Sequence, residues 1–311
     1  MCAYIAKIDM LYKKLGKTKE KLSAIGIGTW KIPNDSRQAI EAIRYGFENG
    51  MNFIDTAEMY GNEELVGKAI EGFSDVFVAT KVSPYHFHYD DLIRACESSL
   101  KRLNLKSIDL FQLHWPNNNV PISETMKAME KLYDDGKIRY IGVSNFSVGE
   151  LIEAQEALSH AEIVSDQVEY SIIMREPEQG LLQFCNKESI TLIAYSPLAR
   201  GAILKDSSLI NKLKEIAKNY DATPIQVALN YLINNGNVIP IPKASTKEHM
   251  KENAGSASFS LSKADFYVLK NLKGFSKPPL AGKMLKHFLK NTSLWSRVMG
   301  QIERQRKTDA N

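Results

Sequence analysis

Met51-Asn52-Phe53-Ile54-Asp55-Thr56-Ala57-Glu58-Met59-Tyr60-Gly61 is a short apolar run that ends abruptly in polar and small residues. This is the pattern of a buried strand that delivers functional groups onto a loop at its carboxyl end. Asp55 and Tyr60, five residues apart just past the strand, supply a carboxylate and a phenol that can face one cavity. A phenol titrates near ~10 in water, so at neutral pH it is a poor acid unless a cation stabilises its anion. Lys81, directly after Val76-Phe77-Val78-Ala79-Thr80, offers that cation, and His114 follows the run 108–113 in the same way.

Comparable apolar or β-branched runs start at residues 24, 52, 76, 108, 140, 163, 190 and 238. Between them lie amphipathic patterns at helical spacing, such as Ala39, Ile40, Ile43 and Phe47, or Leu92, Ala95, Cys96, Ser99, Leu100 and Leu103. Each interval suits one strand, one helix and their loops, except the last, which holds two helical patterns over 209–220 and 224–232. Thr223 is the expected N-cap of the second, with Pro224 in its first turn. Eight strand-helix repeats predict an α/β fold, a (β/α)8 TIM barrel over residues 1–274 with an added helix before the last strand; a doubly wound open sheet is the alternative. Ahead of the barrel, 12–22 has a turn-like centre between two leucines and reads as a hairpin.

A chain of 311 residues with 44% apolar content can bury a large core. Three widely spaced cysteines, Cys2, Cys96 and Cys185, form no C-x-x-C pair, so neither a disulfide framework nor a thiolate zinc site is indicated and a reducing cytoplasm is expected. No apolar run approaches the ~20 residues of a membrane span. The net charge of +4 is concentrated in residues 275–311, where eight Lys/Arg face only Glu303 and Asp309. Without a basic body or interleaved aromatics, nucleic-acid binding is not expected. This basic extension is predicted to be helical: Leu285, Phe288, Trp295, Val298, Met299 and Ile302 fit one face, although Asn291-Thr292-Ser293 interrupts it. Docking on the barrel or on a second subunit, as monomer or homo-oligomer, is favoured over lying on a membrane.

Each motif has a plainer reading. Gly26-Ile27-Gly28-Thr29-Trp30-Lys31 begins like a dinucleotide fingerprint, but Lys31 occupies the sixth position and Pro33 precedes the first helix, so a Rossmann site is rejected. Trp30 fits either rim packing or a pocket wall, Asp55 with Lys81 either an ion pair under the loops or a reactive pair, and His114 either a core histidine or a functional one. Position separates these readings. In a barrel the residues just past each strand converge on one mouth, and here they read Trp30, Asp55 with Tyr60, Lys81, His114, Ser144 with Asn145, Gln167, Tyr195, and Lys243 with Ser245. The six histidines are scattered, with no ligand spacing around His114, so no metal is expected. Lys243 with the free N–H groups of the helix that follows forms a plausible phosphate site, or else a solvated helix start.

Asp55, Tyr60, Lys81 and His114, each following an apolar run, resemble the catalytic tetrad of the aldo-keto reductases, and the motifs match that family along nearly the whole chain. The resemblance implies NAD(P)H-dependent reduction of an aldehyde or ketone, with Tyr60 as the general acid. Lys81 would then lower the phenol's pKa, Asp55 would orient Lys81, and His114 would help place the substrate oxygen. It further implies that Ser144, Asn145 and Gln167 bind the nicotinamide carboxamide, that Tyr195 stacks on the nicotinamide ring, and that Ser196 and Leu198 also touch the cofactor. Trp30 and Trp115 would line the substrate pocket. Lys243, Ser245, His249, Glu252 and Asn253 match the segment that holds the 2'-phosphate of NADP. His249 stands where many members have Arg, and a mostly neutral imidazole grips phosphate less firmly than a guanidinium, so NAD remains open beside NADP. Asp166 replaces the commoner Asn. Two alternatives of other classes stay in view, a cofactor-binding regulatory subunit of an ion channel with little turnover and a metal-dependent barrel hydrolase.

Overall fold

The structure, a computed structural model, describes residues 8–272. A two-stranded antiparallel hairpin comes first, β1 (Tyr12–Lys14) and β2 (Lys21–Ser23). Eight parallel strands then follow: β3 (Ile27–Gly28), β4 (Phe53–Asp55), β5 (Phe77–Val82), β6 (Ile108–Leu113), β7 (Ile138–Ser144), β8 (Ile163–Glu169), β9 (Thr191–Tyr195) and β10 (Val238–Pro240). They pair in sequence order. The ring closes where Gly26 N–H donates to Pro240 O (2.9 Å), Gly28 N–H donates to Pro242 O (3.1 Å), and Gly28 bridges Lys243 in parallel. This settles the choice between a barrel and an open sheet. The closure also accounts for the glycines that imitate a nucleotide fingerprint, since a Cβ at Gly28 would lie 2.5 Å from the Ile241 carbonyl oxygen. Gly28 is there so that two strands can meet.

Helices α1 (Arg37–Glu48), α2 (Glu63–Ile70), α3 (Tyr89–Leu103), α4 (Ile122–Asp134), α5 (Val148–Glu156) and α6 (Leu181–Glu188) alternate with the strands. The long interval before β10 holds α7 (Ser207–Ala217) and α8 (Pro224–Ile233), the added helix that the spacing predicts. After β10 come α9 (Lys247–Gly255) and α10 (Lys263–Lys270). Local chemistry sets their starts. Ser36 accepts from Ala39 N–H, and Ser147 with Glu150 and Thr223 with Gln226 form complete capping boxes.

The barrel interior is filled by Phe53, Phe77, Ala79, Leu110, Val164, Ile193, Ile239 and Ile241 together with the hairpin's Leu15 and Leu22. The two leucines that bracket the hairpin turn therefore close one end of the barrel. Lys13 ties the hairpin in place, its ammonium donating to the carbonyls of Ile233, Gly236 (2.8 Å) and Val238 (2.9 Å). With that end sealed, only the carboxyl ends of the strands remain for a site. The basic extension 275–311, with the helix and docking expected of it, lies outside the described residues.

Candidate active site

Three neighbouring strands bring the expected tetrad together. Asp55 closes β4, Lys81 lies within β5, His114 follows β6, and Tyr60 sits in a single 3-10 turn (Glu58–Tyr60) just past β4. Lys81 Nζ lies 2.5 Å from Asp55 Oδ1, donates to the Thr56 carbonyl at 2.7 Å and reaches the Tyr60 hydroxyl at 3.4 Å. Both members of the ion pair are sealed from water, the side chains being 0% and 2% exposed. The other Asp55 oxygen accepts from Gln112 (3.1 Å) and Gln167 (2.8 Å). A buried charge pair holds only with good geometry and further hydrogen bonds, and here the ammonium has three contacts and both carboxylate oxygens accept. Gln112 is a member of the site that the sequence did not single out, because it sits inside an apolar strand run.

Burial, the larger cause, and after it the negative charge of Asp55 hold the Tyr60 phenol well above its usual value. The Asp55 carboxylate, 2.5 Å from the ammonium, opposes part of the field that Lys81 exerts at the phenol. Burial also lowers the Lys81 pKa, against the opposing pull of Asp55. Tyr60 is thus a protonated donor throughout the neutral range. His114 is held well below the ordinary imidazole value by burial and by Lys81, so its ring is neutral. It stands edge-on to Tyr60, ring centroids 5.6 Å apart, and stacks on Trp115 at 3.9 Å. Tyr60 is half-buried as a residue, while its hydroxyl end is enclosed.

A second polar cluster adjoins the first. The Asn145 amide donates to Ser144 Oγ (2.9 Å) and to the His114 carbonyl (3.2 Å), and its oxygen accepts from the Tyr195 hydroxyl (2.9 Å). Ser144 Oγ donates to the Gln167 carbonyl at 2.7 Å. Asn145 adopts φ 64°, a left-handed conformation that asparagine tolerates better than most residues. Ser144, Asn145, Gln167 and Tyr195 are therefore brought together around one edge of the mouth. Ser196 (φ 50°) and Leu198 are half-buried on the loop after β9.

Lys243 and His249 are exposed at the junction of β10 and α9, Ser245 and Glu252 are half-buried, and Asn253 is buried on α9. Thr246 caps α9 by accepting from His249 N–H, and Glu252 accepts from the Thr223 hydroxyl at 2.7 Å. Trp30 stands at the rim, 36% exposed, with Lys31 Nζ 4.6 Å and the Arg200 guanidinium 5.3 Å from its ring centroid. Among the described residues no group of three or more His, Cys, Asp and Glu side chains could hold a metal ion, and no helix is long and apolar enough to cross a membrane.

The molecule is thus a closed eight-stranded barrel with a buried Asp–Lys–Tyr–His cluster at its open mouth and amide side chains beside it. The chain belongs to the aldo/keto reductase family, whose model matches residues 24–273. It is 38% identical over 256 residues to the methylglyoxal reductase YeaE of Escherichia coli (strain K12), a match covering 80% of this chain and 90% of that protein. With the glyoxal reductase of Bacillus subtilis (strain 168) it shares 37% identity over 246 residues, covering 77% and 85%. Among solved structures it resembles the thermostable aldo-keto reductase Tm1743 in complex with epalrestat, with a TM-score of 0.79, 45% identity and 84% and 98% coverage. A Klebsiella pneumoniae aldo/keto reductase in complex with NADP and acetate aligns at a TM-score of 0.74 with 36% identity, over 83% of this chain and 93% of that one.

Proposed function

We propose that this chain is an NADP-dependent reductase that converts a small aldehyde or ketone to the alcohol, with Tyr60 as the general acid. The observation that carries the proposal is the buried Lys81, paired with Asp55 at 2.5 Å and within 3.4 Å of the Tyr60 hydroxyl beside a neutral His114. Relatives named for methylglyoxal and glyoxal make small dicarbonyls the first substrates to test.

The residues present fit a dinucleotide. Ser144, Asn145 and Gln167 offer hydroxyl and amide groups suited to a carboxamide, Tyr195 offers an aromatic face, and exposed Lys243 lies beside the capped start of α9, where N–H groups favour phosphate. The nicotinamide, when bound, supplies the hydride. The chain does the rest. Tyr60 hydrogen-bonds the carbonyl oxygen and gives up its proton as negative charge develops there. The nearby ammonium of Lys81 stabilises the anion left on Tyr60, and Asp55 holds Lys81 against the strand ends. His114, neutral, offers a ring nitrogen to the same oxygen. A phenol with a high pKa still serves as a donor here, because an alkoxide is a far stronger base than a phenolate.

Tyr60→Phe keeps the ring and removes the donor. Reduction of methylglyoxal with NADPH should fall ~10²–10⁴-fold while NADPH affinity is nearly unchanged. Near-normal turnover in that variant would overturn the assignment. Tight NADPH binding without carbonyl-dependent oxidation in the unaltered protein would instead favour the regulatory-subunit reading.

A further inference from the structure

Between Thr56 and Asn62 the chain makes the turn that carries Tyr60, and two tethers hold it. The far end is fixed by Asn62, which accepts from the Thr56 hydroxyl (2.8 Å) and donates to the carbonyls of Thr29 (2.8 Å) and Ile32 (3.0 Å). The near end is fixed by Glu58. One of its oxygens accepts the Ser83 N–H at 2.9 Å, and the other lies 2.8 Å from His86 Nδ1. Ser83 follows β5 two residues after Lys81, and His86 ends the short turn Pro84–His86. Glu58 therefore joins the Tyr60 turn to the segment that carries Lys81.

An exposed Glu–His pair would be worth little. This carboxylate is not exposed: its side chain is 17% accessible. Burial acts to raise its pKa, but the close His86 imidazole and the Ser83 N–H prevail and hold it below the usual carboxylate value. The contact it spans has little slack, since at 3.4 Å the Tyr60–Lys81 approach is already long and a shift of ~1 Å would end it. We propose that Glu58 is a positioning residue for the reaction, clasping the Tyr60 turn to the end of β5 through Ser83 and His86 so that the Tyr60 hydroxyl stays within reach of Lys81. The inference rests on the reductase reading above and deepens it. Glu58 touches no reacting atom in this scheme; it acts through Tyr60.

The test is a double-mutant cycle, reading kcat for methylglyoxal at saturating NADPH, the NADPH dissociation constant and the thermal midpoint. Glu58→Ala should lower kcat by about 10-fold to 100-fold, with NADPH affinity within about twofold of the unaltered enzyme. Glu58→Gln keeps an acceptor for Ser83 N–H and should recover most of that loss, including where the alanine variant melts early. In a Tyr60→Phe background Glu58→Ala should cost nothing further, because the group it positions is gone. A full multiplicative loss in that background, or a Tyr60-dependent reaction indifferent to Glu58→Ala, overturns the proposal alone. Full activity of Tyr60→Phe by itself overturns the reductase reading and this proposal with it.

Discussion

Asp166 on β8 is completely buried, and neither of its carboxyl oxygens has a well-aligned hydrogen-bond partner among the described residues. Burial pushes its pKa well above the usual carboxylate range; the backbone N–H groups of Phe146 and Asn145 offset this only in part, and Glu150 adds to it. At pH 7 the folded protein must either bury an anion without a well-aligned partner or protonate it. Protonation of an ordinary Asp at that pH costs ~4 kcal/mol, which caps the penalty, since it is about three pH units at ~1.36 kcal/mol each. Asp166→Asn keeps the shape and carries no charge. It should stabilise the protein at pH 7 by about 1–3 kcal/mol, the usual cost of an unsatisfied buried polar group, and raise the thermal midpoint by at least about 2 °C. The sign of the pH dependence follows from the raised folded pKa. The contribution of Asp166 to stability is fully present below its unfolded pKa, near ~3.9, and is lost as pH rises through the folded pKa. The gain from Asn should therefore be smallest near pH 4 and grow toward neutrality. Urea unfolding of both proteins at several pH values between 4 and 8 measures this. A gap independent of pH, or an Asn variant that is less stable at pH 7, would refute the reasoning.

Lys81→Met should abolish most turnover and also cost about 3–5 kcal/mol of stability, because it strands a buried Asp55 carboxylate; Tyr60→Phe should spare stability, and urea denaturation separates the two. If Lys243 and the start of α9 hold a 2'-phosphate, NADPH should bind more tightly than NADH, and His249→Arg should widen the gap by about 1 kcal/mol or more through a charge-assisted contact. Equal dissociation constants unaltered by that substitution would rule the phosphate site out. Deleting residues 280–311 should leave NADPH binding intact and change substrate preference or oligomeric state; loss of affinity for anionic vesicles alone would turn the tail reading from docking to membrane association.

The barrel was legible because its signals are local and repeat. Runs at 52, 76, 108, 163, 190 and 238 start within a residue of strands β4, β5, β6, β8, β9 and β10, and Ser147, Thr223 and Pro224 mark helix starts through chemistry confined to one turn. The first strand was less distinct, since β3 spans only Ile27–Gly28 and is defined by close approach to the chain beyond β10 rather than by its own pattern. Site positions were legible for the same reason, each lying just past an apolar run. What pairs with what was not legible, because partners come from different strands. Gln112 is hidden in the alternation of β6, yet it meets an oxygen from β4, and Asp166 shows as a departure from type but not as a buried carboxyl without a well-aligned partner. The sign of the Tyr60 shift has the same origin. A cation one strand away is visible in the sequence, whereas the net shift follows first from the exclusion of water and then from the nearby Asp55 charge. Sequence proximity names the charges, but only the packed barrel decides how close they lie and whether water reaches them, and burial with Asp55 is what raises the Tyr60 pKa.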